Sequence, residues 1–253
     1  AELEAGVIRL LRLKSIDDKP SMRFSARKST DYARVEPGQE AWCSRARQVA
    51  ETLRADRFTQ KKLQNSMAAL RELASTREGV AEVPDFLARV GIRFVVVEHL
   101  PGTKIDGATF WLSKARPVVA ISLRYGRIDH FWFTLFHEVS HVRHNDQWSI
   151  DCDILGEVEE VKEIERRANE EAAEALVPQD QLRGFLSRHT RRLSKSQIVE
   201  FSRTVGIHPG IVLGQLQHRG IVNWSMGREM LVSVREEVAE SAPTDGWGRR
   251  ITL

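Results

Sequence analysis

The stretch Phe131–His144, FWFTLFHEVSHVRH, constrains this chain more than any other. Within it His137, Glu138 and His141 spell H-E-x-x-H. On an α-helix, positions i and i+4 lie one above the other on a single face, so both imidazoles can present a ring nitrogen to one metal ion about 2 Å away. Glu138 follows one residue on, about 100° round the helix. From there a carboxylate reaches a water beside the metal more readily than the metal itself. The setting favours a helix: residues 128–144 contain no Gly or Pro, and Phe131, Leu135, Val139 and Val142 recur at helical spacing. Aromatic residues run almost all round the first two turns, which predicts a buried helix. Burying two histidines and a glutamate is costly unless something satisfies them, and a metal ion does so.

The 253 residues suffice for one large domain or two small ones. With 29% charged and 42% hydrophobic residues the balance is that of an ordinary globular chain, and no apolar run approaches a membrane span. The start, AELEAGVIRL, lacks a basic segment leading into an apolar one, and two cysteines, Cys43 and Cys152, do not make a disulfide framework. The cytoplasm is the expected compartment. A formal charge of +3 does not by itself argue for nucleic acid. Arg and Lys gather in residues 9–62 and 183–203, a pattern for which solvated helix faces are the common explanation.

Residues 2–13, 40–53 and 56–76 carry helical periodicity, Pro37-Gly38 reads as a turn, and residues 22–35 are basic and weakly periodic. Residues 85–90 predict a short helix stopped by Gly91. Strands are predicted over 92–97, 107–112 and 117–123, directly before the H-E-x-x-H helix. A long glutamate-rich helix over 157–177 ends at Pro178. Further helices follow over 181–188, 195–205 and 209–217; the last two, joined at Gly206–Pro209, have the outline either of a helix-turn-helix or of a helical hairpin packed on the core. The tail beyond Glu240 is expected to be mobile. The whole is an α+β chain, with a helical region over 1–80, a core over 81–180 and a helical region over 181–253.

A catalytic zinc takes three protein ligands and keeps one position open. Downstream of His141 the candidates are His144, Asp146, Asp151, Cys152, Asp153 and the glutamates of 157–174. His144 lies on a different part of the helix face, and Cys152 reads more simply as a half-buried thiol. Glu165 is preferred because Ala168, Ala172 and Ala173 would let its helix approach closely, with Glu163, Glu170 and Glu171 as competitors. His130 and Tyr125, just upstream, are candidate donors to a developing oxyanion. The 107–112 strand, through Gly107 and Ala108, is expected to form a sheet edge that holds an extended substrate.

HEVSH at 137–141 followed by ERRANEEAAEALVP at 165–178 resembles the ImmA/IrrE family of zinc metallopeptidases, whose pattern is H-E-x-x-H and then E-x-x-A-N-x-F-A-A-x-x-L-x-P. The likeness extends through IDGATFW at 105–111, SLRYGRIDHFWFTL at 122–135 and GIHPGIVLGQLQ at 206–217, covering about residues 40–230. It is greatest to the branch fused to HigA-like helix-turn-helix antitoxins and phage-type regulators. The resemblance implies a zincin-like core, Zn2+ held by His137, His141 and Glu165, and Glu138 as catalytic base. It also implies a narrow endopeptidase that cuts a helix-turn-helix repressor in a stress, phage or toxin–antitoxin response, with a toxin partner in some members. A regulatory module of the same fold, binding a partner or ligand with little hydrolysis, is the alternative. Two departures stand out. Glu171 occupies the usual Phe position, which predicts looser packing beside the metal, and residues 1–35 resemble the connector after a helix-turn-helix domain.

Overall fold

The computed structural model describes residues 2–11, 13–15, 37–146, 148–152, 159–189 and 192–248. The basic 22–35 stretch and Asp153 lie outside them. The described residues open with helix α1 (Glu2–Leu11) and form an α+β fold in which helices cover a small mixed sheet.

The sheet is built from β1 (Arg93–Val97), β2 (Ile105–Trp111), β3 (Pro117–Ile121), β4 (Trp148–Cys152) and β5 (Thr244–Asp245), in the order β4-β2-β3-β1-β5. β1 runs parallel to both β3 and β5, whereas β2 runs antiparallel to both β3 and β4. Strand alternation sends Phe94 and Val96 to one face and Val95 and Val97 to the other, and all four are buried. Such strands read as continuous apolar runs because both faces are covered.

On one face lies α2 (Pro37–Thr52), which packs Trp42, Cys43, Ala46 and Val49 against Val95, Val97, Ala108 and Phe110. The Trp42 indole N–H donates to Val97 O at 3.0 Å. Pro37-Gly38 opens this helix rather than forming a separate turn, since proline is preorganised for the first helical position. On the other face α5 (Ile128–His144) is the centre of a larger cluster.

That cluster draws in α3 (Gln60–Glu72), α4 (Gly79–Val90), α6 (Glu159–Leu176), α7 (Gln179–Arg188), α8 (Lys195–Val205) and α9 (Pro209–His218). The expected divisions at 80 and 180 therefore do not separate cores. Leu63 and Leu70 before the first, and Ile198 and Leu213 after the second, share one cluster with Phe131 and Leu135. Arg71 on α3 reinforces the join by donating to Ala175 O, Leu176 O and Val205 O.

Helix α4 starts well before the predicted Asp85 and carries Pro84 inside it. Burial of Val80, Val83 and Leu87 outweighs the lost backbone donor. The pair α8–α9 is a hairpin docked on the core: Ile211, Val212, Leu213 and Leu216 of α9 are buried, so α9 is not presented as a free recognition helix. The tail also differs from expectation. Thr244–Asp245 form β5, and Trp247 N–H donates to Glu98 Oε2 at 2.6 Å, since the unpaired edge of β1 offers main-chain partners. Among the described residues no helix is long and apolar enough to cross a membrane.

Candidate metal centre

Helix α5 is buried on nearly every side, through Ile128, Phe131, Trp132, Leu135, Phe136, Val139 and Val142. Each large apolar side chain contributes about 1.5–3 kcal/mol on burial. Its polar residues are just as deeply placed, with His137, Glu138 and His141 all at most 1% exposed. Asn145, in the left-handed conformation (φ 56°), ends the helix and returns its N–H to His141 O and Val142 O.

His137 and His141 face α6. Ala168 and Ala172 are fully packed there, so small side chains let the two helices approach. Glu165 projects into the gap, with Oε2 3.0 Å from His137 Nε2 and Oε1 3.6 Å from His141 Nε2. The two Nε2 atoms lie 3.0 Å apart. Zinc bonds of about 2.0–2.1 Å at a tetrahedral angle would put donor atoms about 3.3 Å apart. The observed separations bracket that value, and His137, His141 and Glu165 form a buried group that could hold a metal ion.

The other nitrogen of each ring is also engaged. His137 Nδ1 meets Asn169 Oδ1 at 3.0 Å and His141 Nδ1 meets Asp146 Oδ2 at 2.9 Å. With these oxygens accepting the Nδ1 protons, both Nε2 lone pairs point into the same space, an arrangement that repels itself unless a cation or proton lies between. In the protein alone burial pulls His141 down, but hydrogen bonds to Asp146 and Glu165 outweigh it and push its pKa up to about 9. Burial likewise opposes ionisation of Glu165, and contact with His137 and His141 still holds it well below the usual carboxylate range. The donor set suits a divalent cation.

The competing glutamates are occupied elsewhere. Glu163 and Glu170 are exposed and both pair with Arg166. Glu171, at the position where looser packing is expected, is tied to α5. Its carboxylate accepts from Ser140 Oγ at 2.7 Å and pairs with Arg143 and His144, cross-linking α5 to α6. His144 is thus taken by Glu171, while Asp146 supports His141 and pairs with Arg167.

Glu138 faces β2 instead. Thr109 Oγ1 lies 2.7 Å from Glu138 Oε2 and 2.9 Å from its main-chain oxygen, so this hydroxyl holds the carboxylate from the strand side. Gly107 makes the approach feasible: a Cβ there would stand 2.5 Å from Glu138 Oε1. Glu138 is therefore set beside the three-residue group without belonging to it.

His130 and Tyr125 do not join the metal group. His130 lies two turns before Glu138, about 12 Å along the axis at 1.5 Å per residue. Its Nε2 is 3.7 Å from Asp106 Oδ1, Tyr125 packs on its ring at 4.5 Å, and Arg124 binds Asp106 through two bonds of 2.8 Å. Strand β2 is not a sheet edge, because β4 pairs along Gly107 and Ala108.

Asn169 and Thr109 were missed as supports. Asn169 had a signal, being four residues after Glu165 and so on the same helical face. Thr109 had none, since its partner lies 29 residues away.

No protein-family model matches this chain, and no curated protein matches it either.

Proposed function

We propose that this chain is a zinc-dependent endopeptidase of narrow specificity, with a zincin-like core and the ImmA/IrrE type of site. The observation that carries the reading is the convergence of His137, His141 and Glu165 around one space, with a separate carboxylate, Glu138, held next to it. A site that only stored a metal has no need of that second carboxylate.

Bound zinc would supply the Lewis acidity that activates a water molecule and polarises a peptide carbonyl. Glu138 takes the proton from the attacking water and then returns it to the departing amine. Thr109 fixes one carboxylate oxygen, so the base does not have to be ordered during the reaction. Asn169 and Asp146 keep the two imidazoles in one tautomer and orientation. The resemblance of the motif pair supports a helix-turn-helix repressor as substrate, in a stress, phage or toxin–antitoxin response. The burial of α9 argues against DNA contact through that helix.

The test is Glu138→Gln. Zinc content should stay at about one per chain while cleavage of the organism's helix-turn-helix regulators, followed by mass spectrometry, falls by about 10²–10⁴-fold. Equal cellular function of the wild type and this variant would sink the peptidase reading. It would leave a regulatory module of the same fold, a second reading favoured by β4, which fills the strand edge a substrate would use.

A further inference from the structure

Strand β2 has two sides for main-chain pairing, and in this structure both are filled. On the inner side is β3. On the outer side β4 runs antiparallel, with Ser149 opposite Thr109, Ile150 opposite Ala108 and Asp151 opposite Gly107. Those are the β2 residues that touch or flank Glu138: Thr109 binds its carboxylate and Gly107 makes room for it. Neighbouring strands lie about 4.8 Å apart, so the β4 backbone passes one strand spacing from the residues that hold the base.

We propose that the outer edge of β2 is the peptide-binding surface of this site, and that β4 is an internal occupant which an extended substrate must displace. The proposal rests on the peptidase reading and specifies its regulation. A substrate adding to β2 would use the same N–H and C=O groups that β4 now uses, so the two are mutually exclusive. The sequence of β4, WSIDC, alternates apolar and polar residues as a strand-forming peptide does.

The tether decides the competition. A segment joined by a short connection competes at an effective concentration of order mM, so a free peptide of equal intrinsic affinity at micromolar concentration loses. The connection is short here. Asp146, two residues before β4, is anchored at the metal centre by His141 and Arg167, and its carbonyl accepts from the Trp111 indole at 3.3 Å. The opposite sheet edge offers no substitute, as β5 is only two residues long and three strands from β2. The fold thus keeps the site closed to extended chains until β4 is drawn away.

The experiment uses the zinc-loaded full chain in the Glu138→Gln background, so that the probe is not cut. The probe is a blocked synthetic pentapeptide copying residues 148–152, with serine in place of the cysteine, titrated by NMR. Ser149→Pro removes a ladder donor, because Asp106 and Leu112 bond on the β3 side and the alternation turns Thr109, opposite Ser149, toward β4; it should release β4. Replacing residues 148–152 by an equal length of Gly and Ser should do the same. Either variant, with zinc content and circular dichroism unchanged, should bind the peptide at least tenfold more tightly than the chain with β4 intact. Equal affinity would overturn the proposal. Hydrogen exchange on the chain with β4 intact supplies an arm independent of both variants. Peptide at about ten times the effective concentration should speed exchange at Ser149 and Asp151 while Gly107 and Thr109 stay protected, and unchanged exchange would equally overturn it. Both readouts are of binding, so the absence of turnover would count against the peptidase reading alone.

Discussion

The two polar sides of α5 are finished in different ways. Toward α6, His137 and His141 meet Glu165, while Asn169 and Asp146 hold the far nitrogen of each ring. Every contact there directs lone pairs and negative charge into one shared space. Toward β2, Glu138 is held by a neutral hydroxyl and packed over a glycine. The α6 side could be completed by a cation from outside the chain, whereas on the β2 side the chain itself supplies the partner of one carboxylate oxygen. Metal affinity and the placement of the base should therefore respond to different substitutions.

The sharpest way to break that separation is Glu165→Ala. Losing a ligand should cost more than the 10–100-fold typical of an outer partner, and should leave about no zinc after dialysis against a chelator. Retained stoichiometric zinc would mean that another residue completes the site.

Asp146→Ala and Asn169→Ala should each weaken zinc binding by about 10–100-fold, read by competition with a chromophoric chelator. The Asp146 variant should be the weaker binder, because a carboxylate anchors an imidazole more strongly than an amide.

The pH dependence follows from His141. Its proton must leave before zinc binds, so affinity should fall by up to about tenfold per pH unit below 9 and level off above it. The metal-free chain should show the opposite trend. A pKa raised from 6.5 to about 9 contributes stability that is full below pH 6.5 and is lost as pH rises through 9, measurable by denaturant titration. A flat zinc affinity from pH 6 to 9 would show that Asp146 and Glu165 do not hold His141 in its doubly protonated form in the metal-free chain.

Gly107→Ala is the smallest expected effect and belongs to the other side. Its Cβ would displace the Glu138 carboxylate and cost about 1–3 kcal/mol in stability, leaving zinc content unchanged. A matching loss of zinc would show that the two sides are coupled.

Much of this site was legible beforehand. The spacing of His137, Glu138 and His141 on an apolar, Gly- and Pro-free run requires the helix and the shared face. Helical spacing and β-branched runs also located β1, β3, α8 and α9 to within a residue or two, because local propensity and burial agree there. What failed was pairing. The 107–112 strand looked like an edge because β4 hides in a short stretch between two long helices, with only WSIDC alternation to betray it. The tail looked mobile because turn-rich composition says nothing of a distant strand with an open edge.

The sequence by itself determined that two histidines and a glutamate share one buried helix, since that follows from a periodicity of 3.6 residues and nothing else. Only the tertiary structure decided between Glu163, Glu165, Glu170 and Glu171, through the neighbours each one meets across the α5–α6 seam. The same is true of Thr109 beneath Glu138 and of β4 beside β2. Contacts between residues far apart in the chain depend on how whole elements pack, and no local pattern encodes them.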